Sequence, residues 1–286
     1  MVIRGGLFLA ALLSVFTTIF IVIVLAYESV GFFSHVSLWD FLFGTRWSPL
    51  IEPREYGVLP LVCGTMLIVV GSGLIALPIG LSSAIYLSEY ASRRSRTVIK
   101  PILEILAGIP TVVYGFFALT VVTPFLQSMF DDVGVFNAAS AAIVVGIMIL
   151  PMVISLCDDA IQAVPKSMRH AAYALGATPL EVSTRIVVPG AASGIFAAFV
   201  LAVSRAIGET MAVALAAGAT PNLTFSPFES IQTMTASIVQ IMMGDAPADT
   251  LEYQSVFAVA ALLFVITLGM NLISNRVMRR FREAYE

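Results

Sequence analysis

A chain of 286 residues, 59% of them apolar and 12% charged, has a mean hydropathy of +0.96, more than the polar surface of a water-soluble fold permits. Fifteen basic and eighteen acidic residues leave a formal charge of −3, which excludes the basic footprint that a nucleic-acid binder needs. Two cysteines exclude a disulfide framework or a Cys-rich metal site, and two histidines, His35 and His170, leave little for a histidine-built metal centre. The class that remains is an all-α integral membrane protein.

A span needs roughly 20 apolar residues to cross a ~30 Å hydrocarbon core. Six runs qualify: Leu7–Tyr27, Val58–Leu87, Ile105–Leu126, Asn137–Cys157, Ala191–Ala217 and Ser255–Ile273. They are too long, and lack the period-2 alternation, for barrel strands. The first follows Arg4 and ends near Val24-Leu25-Ala26, which resembles a signal-peptide cleavage site. Its apolar core exceeds the roughly 7–15 residues of a signal sequence, so it is read as an uncleaved helix. Residues 1–56 then comprise this helix and an outer loop, 57–275 a five-helix core, and 276–286 a basic tail. The outer loop carries Trp39, Phe41, Phe43, Trp47 and Tyr56, a set suited to an interfacial belt or to a docking surface.

Pro78 and Gly80 are expected to interrupt the second span, and Gly108-Ile109-Pro110 to open the third; hinges and close packing are both open readings. Cys63 and Cys157 fall at opposite ends of their spans and cannot pair.

Twelve of the fifteen basic residues collect on one side of these spans, against Arg46 and Arg54 on the other, with Arg205 inside a span. The excess predicts that both termini are cytoplasmic. The opposite face holds Asp131, Asp132, Asp245, Asp249 and Glu252 and is acidic.

The longest inner connection, residues 158–190, predicts two short helices. One runs Ser167–Leu175, capped by Ser167 and stopped by Gly176; the other runs Pro179–Val188, with Pro189 separating it from the fifth span. Such a pair cannot bury its own surface and should dock on a cytoplasmic partner.

Arg205 and Glu209 lie within the fifth span, Arg205 roughly 21 Å along its helix. On a continuous helix they share a face. A charge at that depth costs ~2.5 kcal/mol or more, so it must be paired or face a polar route. The pair therefore reads either as a packing device or as an anion site with the guanidinium as donor. No nucleophile–base set and no Gly-x-x-x-x-Gly-Lys loop is present, so any ATP-driven work belongs to another polypeptide.

The inner loop reads His170-Ala171-Ala172, Gly176-Ala177, Ile186 and Pro189. It resembles the EAA loop of ABC-importer permeases, with His170 in place of the usual Glu and Val188 in place of the usual Leu. Trp47-Ser-Pro49, Ala84-Ile-Tyr-Leu-Ser-Glu-Tyr-Ala91, Glu104–Gly115 and above all Arg205-Ala-Ile-Gly-Glu-Thr-Met-Ala-Val213 are similar to the phosphate-specific transport permeases, in their PstC branch. That resemblance implies a six-helix type I ABC-importer permease fold with Arg205 and Glu209 on the substrate path. It also implies an ATPase-coupling loop containing Arg169, His170, Ala171, Ala172, Gly176, Ala177 and Pro189. The implied partners are a PstA-like permease, two PstB-like ATPases and a PstS-like phosphate-binding protein. No cofactor is implied in this chain, with ATP and magnesium held by the ATPase. An ion-coupled anion carrier, or an ABC permease for another oxyanion, is the alternative.

Overall fold

The computed structural model describes residues 2–244, 246–247 and 250–282. Asp245 and Asp249, two of the acids assigned to the outer face, lie outside the described residues, as do residues 283–286 of the basic tail.

The bundle is built around α3 (Leu59–Ile85) and α7 (Ala138–Ala163). Asn137 starts α7: its Oδ1 accepts from the Ser140 N–H at 2.7 Å, supplying one of the bonds a helix N-terminus lacks. Val144, Val145, Ile149, Val153 and Cys157 are all fully buried, so α7 is the most enclosed of the long helices, although Ser155 and Asp159 remain exposed. Small residues set its distance from α3. A Cβ on Gly80 would lie 2.5 Å from the Val153 side chain, and one on Gly146 3.3 Å from the Ser72 carbonyl. The expected interruption at Pro78 does not occur. Helix α3 continues through it, with the Ser82 hydroxyl donating to the Pro78 carbonyl at 2.7 Å, and Gly80 serves close packing.

The third span differs more. Residues from Ile105 to Ala107 belong to α4 (Arg93–Ala107), an amphipathic helix with no fully buried residue. The chain breaks at Gly108–Pro110, because Pro110 has no N–H to continue the ladder and restricts the residue before it. It then crosses as α5 (Thr111–Phe117), a π-type stretch Ala118–Val122 and α6 (Thr123–Met129). A long helix α1 (Val2–Phe33) stands at the edge, most of its apolar side chains exposed until Phe32, beside α14 (Leu251–Arg282).

Between α1 and α3 lie α2 (Leu38–Phe43) and a pair of two-residue antiparallel strands, β1 (Trp47–Ser48) and β2 (Glu55–Tyr56), which pairs Trp47 with Tyr56 and is the one strand pair among the described residues. The aromatics here divide. Phe32 meets Phe33, Phe41 and Tyr56 edge-to-face at 5.3, 5.7 and 5.4 Å, making a small core of their own. Trp39 and Phe43 are exposed and can serve as interfacial anchors.

Among the described residues, α1, α3, α5–α6, α7 and α14 are long and apolar enough to cross a bilayer. The fifth passage in chain order is broken. Helices α8 (Lys166–Ala174), α9 (Pro179–Val182) and α10 (Val188–Gly190) precede it, and the chain turns 68° at Ala191 before it enters α11 (Ala192–Ile207). Sixteen residues reach ~24 Å, short of the ~30 Å core, and the passage resumes as α12 (Met211–Ala216) after Gly208–Thr210. An irregular segment then crosses the starts of α3 and α7, where the Cys63 thiol donates to the Thr224 carbonyl and the Ala139 N–H to the Pro227 carbonyl. It ends in α13 (Met234–Met243), an apolar helix too short to register as a span.

Candidate translocation path and coupling segment

The break at Gly208 changes the relation between the two charges in the fifth passage. Arg205 is in the last turn of α11, whereas Glu209 lies beyond its end, so they do not share a helix face. Among the described residues no ion pair joins them. Glu209 is 7% exposed; its Oε1 accepts from the Ala212 N–H at 3.2 Å in the first turn of α12, where the helix dipole favours an anion. Its carbonyl accepts from the Thr235 hydroxyl at 2.8 Å, tying the break to α13. The expected shared helix face is thereby corrected: Glu209 caps the start of α12, and Arg205 stands apart from it.

Arg205 is exposed and, with Leu201, lines a cavity of about 650 Å³. Met148, Pro151 and Ile154 of α7 form one wall, and Lys100 and Glu104 of α4 line another part. The same cavity reaches Asp158, a residue whose role the sequence did not disclose. It is fully buried and holds Arg96 at 2.6 Å, Lys100 at 3.0 Å and Gln162 at 2.7 Å. This carboxylate fastens α4 against the end of α7. Among the described residues no group of three His, Cys, Asp or Glu side chains is placed to hold a metal ion.

At the same basic end, α8 begins after Pro165, not with Ser167 as cap; Pro165 fits because the first turn needs no N–H from it. Its stop is as expected. Gly176 has φ +85°, its N–H donates to the Tyr173 carbonyl and the Ala177 N–H to that of Ala172, the paired bonds of a Schellman turn. Thr178 and Glu181 then form a capping box at α9, with Pro179 in the first turn. The hydrogen bonds from the Thr178 N–H and hydroxyl hold the Glu181 carboxyl below its ordinary pKa.

The coupling-loop residues separate by environment. His170, Ala171 and Pro189 are exposed, Ala172 is buried and Ala177 half-buried. Leu175 is 90% exposed, and Met168 and Tyr173 of α8 and Leu180 of α9 are exposed apolar side chains of the same segment. Arg169 instead turns inward and pairs with Glu89 at 3.1 Å.

Residues 76–283 match the model of the family described as binding-protein-dependent transport system inner membrane component. The chain is 35% identical over 245 residues to the protein of Bacillus subtilis (strain 168) named "Probable ABC transporter permease protein YqgH", covering 86% of this chain and 79% of that one. It is 34% identical over 260 residues to the phosphate transport system permease protein PstC of Mesorhizobium japonicum, covering 84% and 78% respectively. Among solved structures, a bacterial ABC transporter involved in the import of the acidic polysaccharide alginate superposes with a TM-score of 0.64 at 18% identity, over 97% of this chain and 96% of that one. The architecture is that of a type I ABC-importer permease. The chain belongs to the family of binding-protein-dependent transport system inner membrane components.

Proposed function

We propose that this chain is the PstC-type permease of an ATP-driven phosphate importer, sharing its path with a PstA-like permease. Two PstB-like ATPases, which carry the ATP and magnesium, seat the exposed surface of α8 on the cytoplasmic side. A PstS-like protein delivers phosphate to the opposite face. The observation that carries the reading is the Arg205 guanidinium, exposed in a cavity within the membrane-crossing bundle and free of Glu209. A passing oxyanion loses water, and a charge-assisted fork of N–H donors replaces part of that hydration. The names of the relatives support phosphate as the anion.

The test is reconstitution of the four-component complex in proteoliposomes. Uptake of radiolabelled phosphate is expected only with ATP inside and the loaded binding protein outside. Uptake driven by an ion gradient without ATP would replace this reading with a secondary carrier. Equal competition by sulfate or molybdate would assign another oxyanion.

A further inference from the structure

The π-type stretch Tyr86–Tyr90, which ends α3, touches three functional parts within five residues. Leu87, 3% exposed, lines the cavity that contains Arg205. Glu89 accepts from Arg169 of α8, whose Nη2 lies 3.1 Å and Nε 3.3 Å from its Oε1. Tyr90 places its hydroxyl 3.0 Å from the hydroxyl of Ser183, just after α9. Both halves of the coupling segment are therefore held by one turn of the bundle.

Arg169 adds α7 to this junction. Its Nη1 donates to the Val164 carbonyl at 2.6 Å and Nη2 to that of Ile161 at 2.8 Å, at the helix end whose dipole favours a cation. The side chains of Arg169 and Glu89 are 15% and 11% exposed, so this is no solvated surface pair. An arginine committed to four hydrogen bonds with three acceptors of its own chain has little left to offer an ATPase.

We propose that Glu89 is a positioning residue for transport: through Arg169 it converts displacement of α8 into displacement of α7 and of the turn that ends α3, which line the Arg205 cavity through Met148, Pro151 and Ile154 and through Leu87. Arg169 accordingly acts as an internal link and not as a docking side chain. The inference rests on the coupling role proposed above for α8.

The experiment uses the reconstituted complex, with Glu89→Gln, Arg169→Met, their double variant and Arg169→Lys. Complex assembly, basal ATP hydrolysis, its stimulation by loaded binding protein, and phosphate uptake are measured. Glu89→Gln is expected to assemble and hydrolyse at the basal rate while stimulation and uptake fall about tenfold, an ordinary coupling magnitude. The double variant should lose no more than either single one, because both remove the same link. Arg169→Lys, which keeps the charge without the fork, should fall between. Full stimulation in Glu89→Gln, losses that multiply in the double variant, or a loss matched by lost assembly would each overturn the proposal. A separate variant, Leu175→Asp, tests the parent reading: normal ATPase capture there removes the docking role of α8 whatever Glu89 does.

Discussion

Arg205 and Glu209 carry opposite charges four positions apart, and their environments give them different work. The Glu209 carboxylate is buried against the Ala212 N–H, so Glu209→Gln keeps an acceptor oxygen but loses the charge at the start of α12. About 1 kcal/mol of stability should be lost, the scale of a helix cap, with uptake reduced in proportion to the complex that survives. Arg205 makes no ion pair with it, and Arg205→Gln removes only the cation that faces the cavity. That variant should assemble with an unchanged melting temperature and lose phosphate uptake. The double variant should combine the two defects, one in stability and one in transport. If double neutralisation instead restores uptake, the two charges neutralise each other in the working complex and Arg205 is not a substrate contact. The sequence spacing misled here because i,i+4 holds only on an unbroken helix, and Gly208 ends one. Asp158 was missed for a related reason: its cationic partners lie about sixty residues away on α4, beyond any local pattern.

At the scale of elements, the segment α8–Gly176–α9 was the most legible part of the molecule. Its signals are local: a glycine where φ is positive and a proline in a first turn, to which the structure adds a Thr-x-x-Glu box that the sequence reading passed over. The break at Pro110 was signalled by its glycine and proline but placed inside a span, and the break at Gly208 was hidden because Ala191–Ala217 reads as one continuous run. Helix α13 was invisible as a membrane element because ten residues fall below the length any span criterion uses. The exposed surface of α8 makes a sharp prediction. Leu175 is 90% exposed, so Leu175→Asp removes almost no contact within its own chain and should leave the melting temperature of the isolated permease within about 0.5 kcal/mol of unchanged stability. Capture of the ATPase by the tagged permease should nevertheless be lost. Gly176→Asp probes the neighbouring turn: a Cβ there meets no atom within 4 Å, so the chain itself leaves room, and only the positive φ is strained, by about 1–2 kcal/mol. Uptake should disappear in that variant with membrane insertion intact. Normal uptake in both variants would mean that α8 seats elsewhere.

For the whole molecule, orientation decides whether any of these readings can operate together. Arg96, Lys100 and Arg169 gather where α3 and α7 end and α4 and α8 begin. The start of α14 lies at the other end, since Glu252 pairs at 2.6 Å with Arg54 of the α1–α3 connection, and the Ser29 hydroxyl at the end of α1 meets the Phe257 carbonyl at 3.1 Å. Helices α1 and α14 therefore direct their free ends toward α4 and α8, and the basic residues at both termini join the same end. The two basic residues opposite, Arg46 and Arg54, are each paired with an acid, Glu55 and Glu252. A twelve-to-two division of basic residues predicts that the basic end faces the cytoplasm. A fluorescent reporter that matures only in the cytoplasm should light up when fused after Glu286, whereas one inserted beside Arg54 should stay dark. An enzyme reporter active only outside the membrane should give the reverse pair. The opposite result would turn α8 outward, beyond reach of any ATPase. It would then remove the coupling role of Gly176 and Leu175 and the Glu89–Arg169 link together, while leaving the cavity at Arg205 as an anion route to be explained by an ion-coupled mechanism.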